Sequence, residues 1–130
     1  MIDRIDHLVL TVKDLEKTIH FYTKALGMKL VTFGSKRKAL SFGRQKINLH
    51  EYGKEFEPKA AMPLPGSADL CFVTTVPVDR LKKELASKEI TVLEGPIKRT
   101  GAEGEITSIY IRDPDGNLIE LSNYTTDTRE

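Results

Sequence analysis

The sequence predicts an α+β fold made from one β-α-β-β-β unit used twice, and three observations carry that prediction. A short β-branched apolar run is followed at once by apolar residues at helical spacing, near the start of the chain and again past its middle. Between the two occurrences lies a stretch holding Gly53, Pro58, Pro63, Pro65 and Gly66, residues that fit neither a strand nor a helix interior. Laying His7 over Asp69 sets HLVLTV on DLCFVT, so the second half starts as the first does.

In the first half, Ile5–Val12 reads as a strand. Asp14 is placed to cap a helix whose apolar face is Leu15, Ile19, Tyr22 and Leu26, with Gly27 ending it. Strands are predicted at Met28–Phe33, Lys38–Phe42 and Lys46–Tyr52, with turns at Gly34-Ser35 and Gly43-Arg44-Gln45. In the second half the order repeats. Ala68–Thr75 is a strand, and Pro77, Val78, Leu81 and Leu85 mark a helix. Ile90–Ile97 is a strand broken by Gly95 and Pro96. Ile106–Arg112 and Asn117–Leu121 form a hairpin about Asp113-Pro114-Asp115-Gly116, where proline presets one torsion and glycine takes a positive φ. The expected organisation is one domain over residues 1–130: module one about 1–52, a connection 53–67, module two about 68–122, and a frayed polar tail from Asn123.

Composition narrows the function. With 20 basic and 19 acidic residues among 130, the formal charge is +1, which lacks the basic surplus of a nucleic-acid or membrane-surface binder. Apolar runs are too short to span a bilayer, and the first residues lack a secretory pattern. Cys71 is the one cysteine, so no internal disulfide forms and a cytoplasmic setting is expected. No GxGxxG, P-loop or GxSxG motif is present.

Strand alternation then selects residues. Leu8, Leu10 and Val12, like Leu70 and Phe72, are expected to face the helices. His7 and Asp69 on the first strands, and His50 and Glu120 on the last, face the other way. Two imidazoles and two carboxylates make a ligand set for Zn, Mn, Fe, Co or Ni. Read singly, each has an ordinary role: His7 as a half-buried histidine, His50 as a solvated strand end, Asp69 as a cap. Glu120 is hardest to dismiss, because Leu118, Ile119 and Leu121 surround it. Cys71 reads as a small buried hydrophobe. The clusters Lys36-Arg37-Lys38 and Lys98-Arg99 read as turn charges, either of which could hold an anionic substrate group.

HLVLTVKDLEKTIHFYTKALGMKLV resembles the opening module of the glyoxalase, bleomycin-resistance and dioxygenase (vicinal oxygen chelate) superfamily, and DPDGNLIELS resembles its closing hairpin. FGRQKINLHEYGKEFEPKA with PGSADLCFVT resembles the glyoxalase domain-containing subgroup, which includes virulence proteins. The resemblance implies two βαβββ modules forming a cleft-bearing, half-open mixed β-barrel, homodimerisation, and a divalent metal held by His7, His50, Asp69 and Glu120. Glyoxalase I carries glutamate at the position of His50 and histidine at that of Asp69, so here both carboxylates fall in the second module. Fosfomycin-resistance relatives match His7, His50 and Glu120 better.

The leading expectation is a lactoylglutathione-lyase-like enzyme acting on a small oxygenated substrate, such as a glutathione or other thiol adduct. The metal would stabilise an enediolate, with Glu120 as general base and Asp69 as the alternate. The rivals are a metal-dependent dioxygenase, a fosfomycin-type thiol transferase, and a metal-free drug- or metabolite-binding resistance protein.

Overall fold

The computed structural model describes residues 1–125. Its contacts divide the chain into two compact units: Met1–Ala68 with Pro114–Gly116, and Asp69–Asp113 with the described residues from Asn117. Each unit has the predicted β-α-β-β-β order and one four-stranded mixed sheet.

The first unit opens with β1 (His7–Val12) and α1 (Leu15–His20). The Asp14 carboxylate accepts from the Lys17 N–H at 3.0 Å and so fixes where α1 starts. The helix then widens into a π-helical turn over Phe21–Ala25, at the point where the Thr23 hydroxyl donates to the Ile19 carbonyl at 2.7 Å. Strands β2 (Lys29–Phe33), β3 (Arg37–Phe42) and β4 (Gln45–Glu51) follow. The sheet order is β1-β4-β3-β2, with β1 parallel to β4. Leu10, Val12, Leu40, Ile47 and Leu49 are buried with Ile19 and Tyr22, so the helix-facing half of the alternation forms this unit's core. Each such aliphatic side chain contributes about 1.5–3 kcal/mol when fully buried.

The second unit repeats the plan with β5 (Asp69–Val73), α2 (Val78–Ser87), β6 (Glu94–Thr100), β7 (Glu105–Arg112) and β8 (Leu118–Tyr124), in sheet order β5-β8-β7-β6. Leu81, Leu85, Ile109, Ile111, Ile119 and Leu121 are buried. Two expectations need correction. This unit's second strand begins at Glu94, not Ile90, and carries Gly95 and Pro96 through a register shift between Glu94 and Ile97. A bulge accommodates a proline without a ladder donor, so the break lies inside the strand.

The chain from Asn123 is also not frayed where it is described. Asn123 ends β8 as a bracket: its Oδ1 accepts from the Val78 N–H at 2.7 Å, and its Nδ2 donates to the Val76 carbonyl at 3.0 Å. Pro77 offers α2 no side-chain cap, so a strand residue distant in sequence supplies it. Asn123→Ala is expected to destabilise the protein by about 2 kcal/mol, read as a lower urea midpoint at unchanged slope. Residues 126–130 of the predicted tail lie outside the described residues.

Candidate functional site

In the second unit, register decides what alternation left open. Asp69 stands opposite Leu118 and Cys71 opposite Glu120, so Asp69 and Glu120 share a sheet face, offset by one pleat, about 7 Å along the strands. Strand β7 adds two residues the sequence reading missed, Ser108 opposite Ser122 and Tyr110 opposite Glu120. Their signal was present in the alternation of Ser108 and Tyr110 with the apolar Ile109 and Ile111.

The hydrogen bonds on this face run in one direction. Ser108 Oγ donates to Glu120 Oε2 at 2.6 Å. A hydroxyl has a single proton, so the 2.6 Å bond between Ser108 and Ser122 is donated by Ser122. The same count makes Cys71 the donor in its 3.3 Å contact with Ser122. The donors therefore line up as Cys71, Ser122 and Ser108, and the chain ends on the Glu120 carboxylate. Partial burial pushes the Cys71 thiol up, and the nearby Glu120 charge adds to this, so Cys71 stays a thiol. Burial likewise raises the Tyr110 phenol, against a hydrogen bond from Arg99 Nε at 2.9 Å that favours its ionised form. Glu120 is thus aimed by a buried serine and flanked by a protonated phenol.

In the first unit, His7 and Asp6 share a 2.9 Å hydrogen bond through His7 Nδ1, which lowers the Asp6 carboxyl. An imidazole whose Nδ1–H is given to a carboxylate presents its lone pair at Nε2, the usual arrangement of a metal-binding histidine. His50 is different. His7 stands opposite Lys46 and His50 opposite Thr11, so the two histidines share a face but lie about 13 Å apart along it. The matching parallel pairs of the two units, His7 with Lys46 and Asp69 with Leu118, make Asn48 the counterpart of Glu120 and His50 the counterpart of Ser122.

His50 instead lines a cavity of about 550 Å³ walled by Val9, Pro58, Met62, Pro63 and Leu64. It is 3% exposed, and its Nε2 is buried without a hydrogen-bond partner. Its ring meets Phe56 edge-on at 5.6 Å, and Phe56 in turn lies under the Arg37 guanidinium at 4.3 Å. Burial first, then the Arg37 charge, push the His50 pKa down; Glu55 opposes them, and Lys59 adds a smaller push downward.

A divalent cation is therefore fitted unevenly. In the first unit His7 with its Asp6 partner, and in the second unit Asp69 and Glu120 with its Ser108 anchor, offer suitable donors, while His50 stands about 13 Å along the face from His7. The described residues contain no group of three or more His, Cys, Asp or Glu side chains arranged to hold a metal.

Built from two β-α-β-β-β units with polar residues on their first and last strands, the chain belongs to the Glyoxalase/Bleomycin resistance protein/Dioxygenase superfamily, whose family model matches residues 4–121. Among its relatives, the virulence protein STM3117 of Salmonella typhimurium is 62% identical over 95% of this chain and 86% of its own. The crystal structure of that protein superposes with a TM-score of 0.94, covering 96% of this chain and 99% of the other. Glyoxalase domain-containing protein RDO1 of Mycosarcoma maydis is also 62% identical, over 92% of this chain and 68% of its own. At greater distance, lactoylglutathione lyase GLX1 of Arabidopsis thaliana is 28% identical over 91% of this chain and 43% of its own.

Proposed function

We propose that the protein is a metal-dependent lyase or isomerase of the lactoylglutathione-lyase kind, acting on a small oxygenated substrate and using Glu120 as its general base. The observation that carries this reading is the Glu120 carboxylate, fixed by Ser108 at 2.6 Å at the end of an ordered donor chain. A carboxylate held in one orientation, beside a phenol that stays protonated, suits taking a proton from carbon and returning it nearby.

Asp69 and Glu120 would be the second unit's donors to the cation, and His7, oriented by Asp6, the first unit's. When bound, the cation would polarise adjacent substrate oxygens and stabilise the negative charge that develops as the proton leaves. Ser108 keeps one carboxylate oxygen occupied, and the other, loosened from the cation, would move the proton. Asp69, exposed and one pleat away, is the second candidate base. A homodimer in the cytoplasm completes the proposal, supported by family resemblance and by the lone thiol. Light scattering on the eluting peak reads the oligomeric state.

The test is turnover of the methylglyoxal–glutathione hemithioacetal by untagged protein loaded in turn with Zn, Ni, Co, Mn and Fe. Product formation with at least one metal is expected, and inactivity with all five overturns the reading. Oxygen uptake with Fe(II), or thiol addition to fosfomycin, would replace it by the dioxygenase or the transferase. His7→Ala is expected to lower bound metal at least tenfold, measured by elemental analysis.

A further inference from the structure

We propose that the cavity in the first unit is a binding site for a small carboxylate with an apolar body, and that His50 grips its head group instead of serving as a metal ligand. The proposal stands on the first unit alone and does not depend on the reaction assigned above.

A buried nitrogen without a partner needs a reason, since leaving a polar atom dry and unpaired is destabilising. Here the atom belongs to a side chain that lines a cavity, and 550 Å³ lies within the usual range of a small-molecule site. A hydrogen-bonding head group at His50 Nε2 would satisfy it. Thr11 and Ser67 line the same cavity, and Lys59 is the one lysine or arginine among the described residues that line it. The remaining wall, from Val9 to the Pro58–Leu64 segment, is apolar and suits a hydrocarbon body.

The charges choose the head group. Three charged residues act on His50: the Arg37 cation most strongly, then the Glu55 carboxylate, then the Lys59 cation. Arg37 is held by stacking, 5.2 Å from the Phe33 ring centre and 4.3 Å from that of Phe56, and makes no ion pair among the described residues. Lys59 is already paired with Glu57 at 3.3 Å and Glu55 at 3.7 Å, so it contributes less. An anion beside His50 gains from the Arg37 and Lys59 charges, which a neutral isostere cannot use. The register favours this role over metal ligation, because His50 occupies the place of Ser122 while Asn48 occupies that of Glu120.

The experiment titrates 4-phenylbutanoate, with 4-phenylbutanamide as the neutral counterpart, into ¹⁵N-histidine-labelled protein. The acid is expected to move the His50 Nε2 resonance saturably and to bind at least tenfold more tightly than the amide. His50→Leu keeps the side-chain bulk and is expected to weaken the acid at least tenfold, while Lys59→Met weakens it two- to fivefold. Failure of the acid to bind, or equal binding of acid and amide, overturns the proposal. If His50→Leu fails to fold, the acid–amide contrast and the Nε2 shift in the native chain still decide. Bound metal in His50→Leu should match the native protein, and a drop like that of His7→Ala would overturn the assignment. A native protein that takes up no metal would defeat the lyase reading and leave the titration to judge this one.

Discussion

Glu120→Gln is expected to lower turnover of the hemithioacetal by about 10²–10⁴-fold, the usual range for removing a positioned general base. The amide is nearly isosteric and can still bond to Ser108, so its melting temperature should remain within about 2 °C of the native value. The comparison is made on metal-replete protein, with bound metal measured in both, so that loss of a base is separated from loss of a ligand. Ser108→Ala should act more mildly, by about ten- to hundredfold, because the carboxylate remains but is no longer aimed. Cys71→Ser should stay within about twofold, since the thiol sits at the donor end of the chain and burial holds it protonated. A Glu120→Gln enzyme with native turnover would remove Glu120 as the base and transfer the role to Asp69, whose substitution by asparagine would then show the large loss.

The reach of the sequence is clearest at His50 and Glu120. Alternation identified the sheet face of every candidate residue, because a strand has a side-chain period of two and the apolar half of each strand is unmistakable. It could not give height along the face. From Asp69 to Leu118 is a longer path than from His7 to Lys46, since the second unit has extra chain between α2 and β6 and a bulge within β6. Overlaying the first strands therefore leaves the last strands free to slide by a pleat, and only the hydrogen-bonded register shows that His50 matches Ser122. The same limit hid Ser108, whose partner is fixed by the β7–β8 pairing and not by anything local to Glu105–Arg112. Local signals with a local mechanism were legible. Asp14 capped α1 as predicted, and Gly116 took the positive φ its turn requires. Arg37 shows the opposite case. Its sequence neighbours suggest a solvated turn charge, and its stacking depends on Phe56 returning from the connection after β4.

Gly95→Ala is expected to be the most damaging single methyl in the second unit. Gly95 has φ +109°, a conformation that strains any residue with a Cβ, and it sits in the β6 bulge against β7. A Cβ there would lie 2.3 Å from the Ser108 carbonyl oxygen and 2.8 Å from the Ile109 Cα, both backbone atoms that cannot swing aside. Relief requires the strands to part at the residue whose hydroxyl aims Glu120, so the damage should reach the site as well as the fold. We expect a loss of about 3 kcal/mol or more, a fall in melting temperature of roughly 10 °C, and a drop in turnover resembling that of Ser108→Ala. Gly43→Ala is the control: its φ of +53° imposes backbone strain, but no atom lies within 4 Å of the added Cβ. It should cost about 1–2 kcal/mol and leave turnover unchanged. Thermal melts and activity on the two variants separate the explanations. If Gly95→Ala proves no worse than Gly43→Ala, the close approach of β6 to Ser108 is not what holds the Glu120 carboxylate in place.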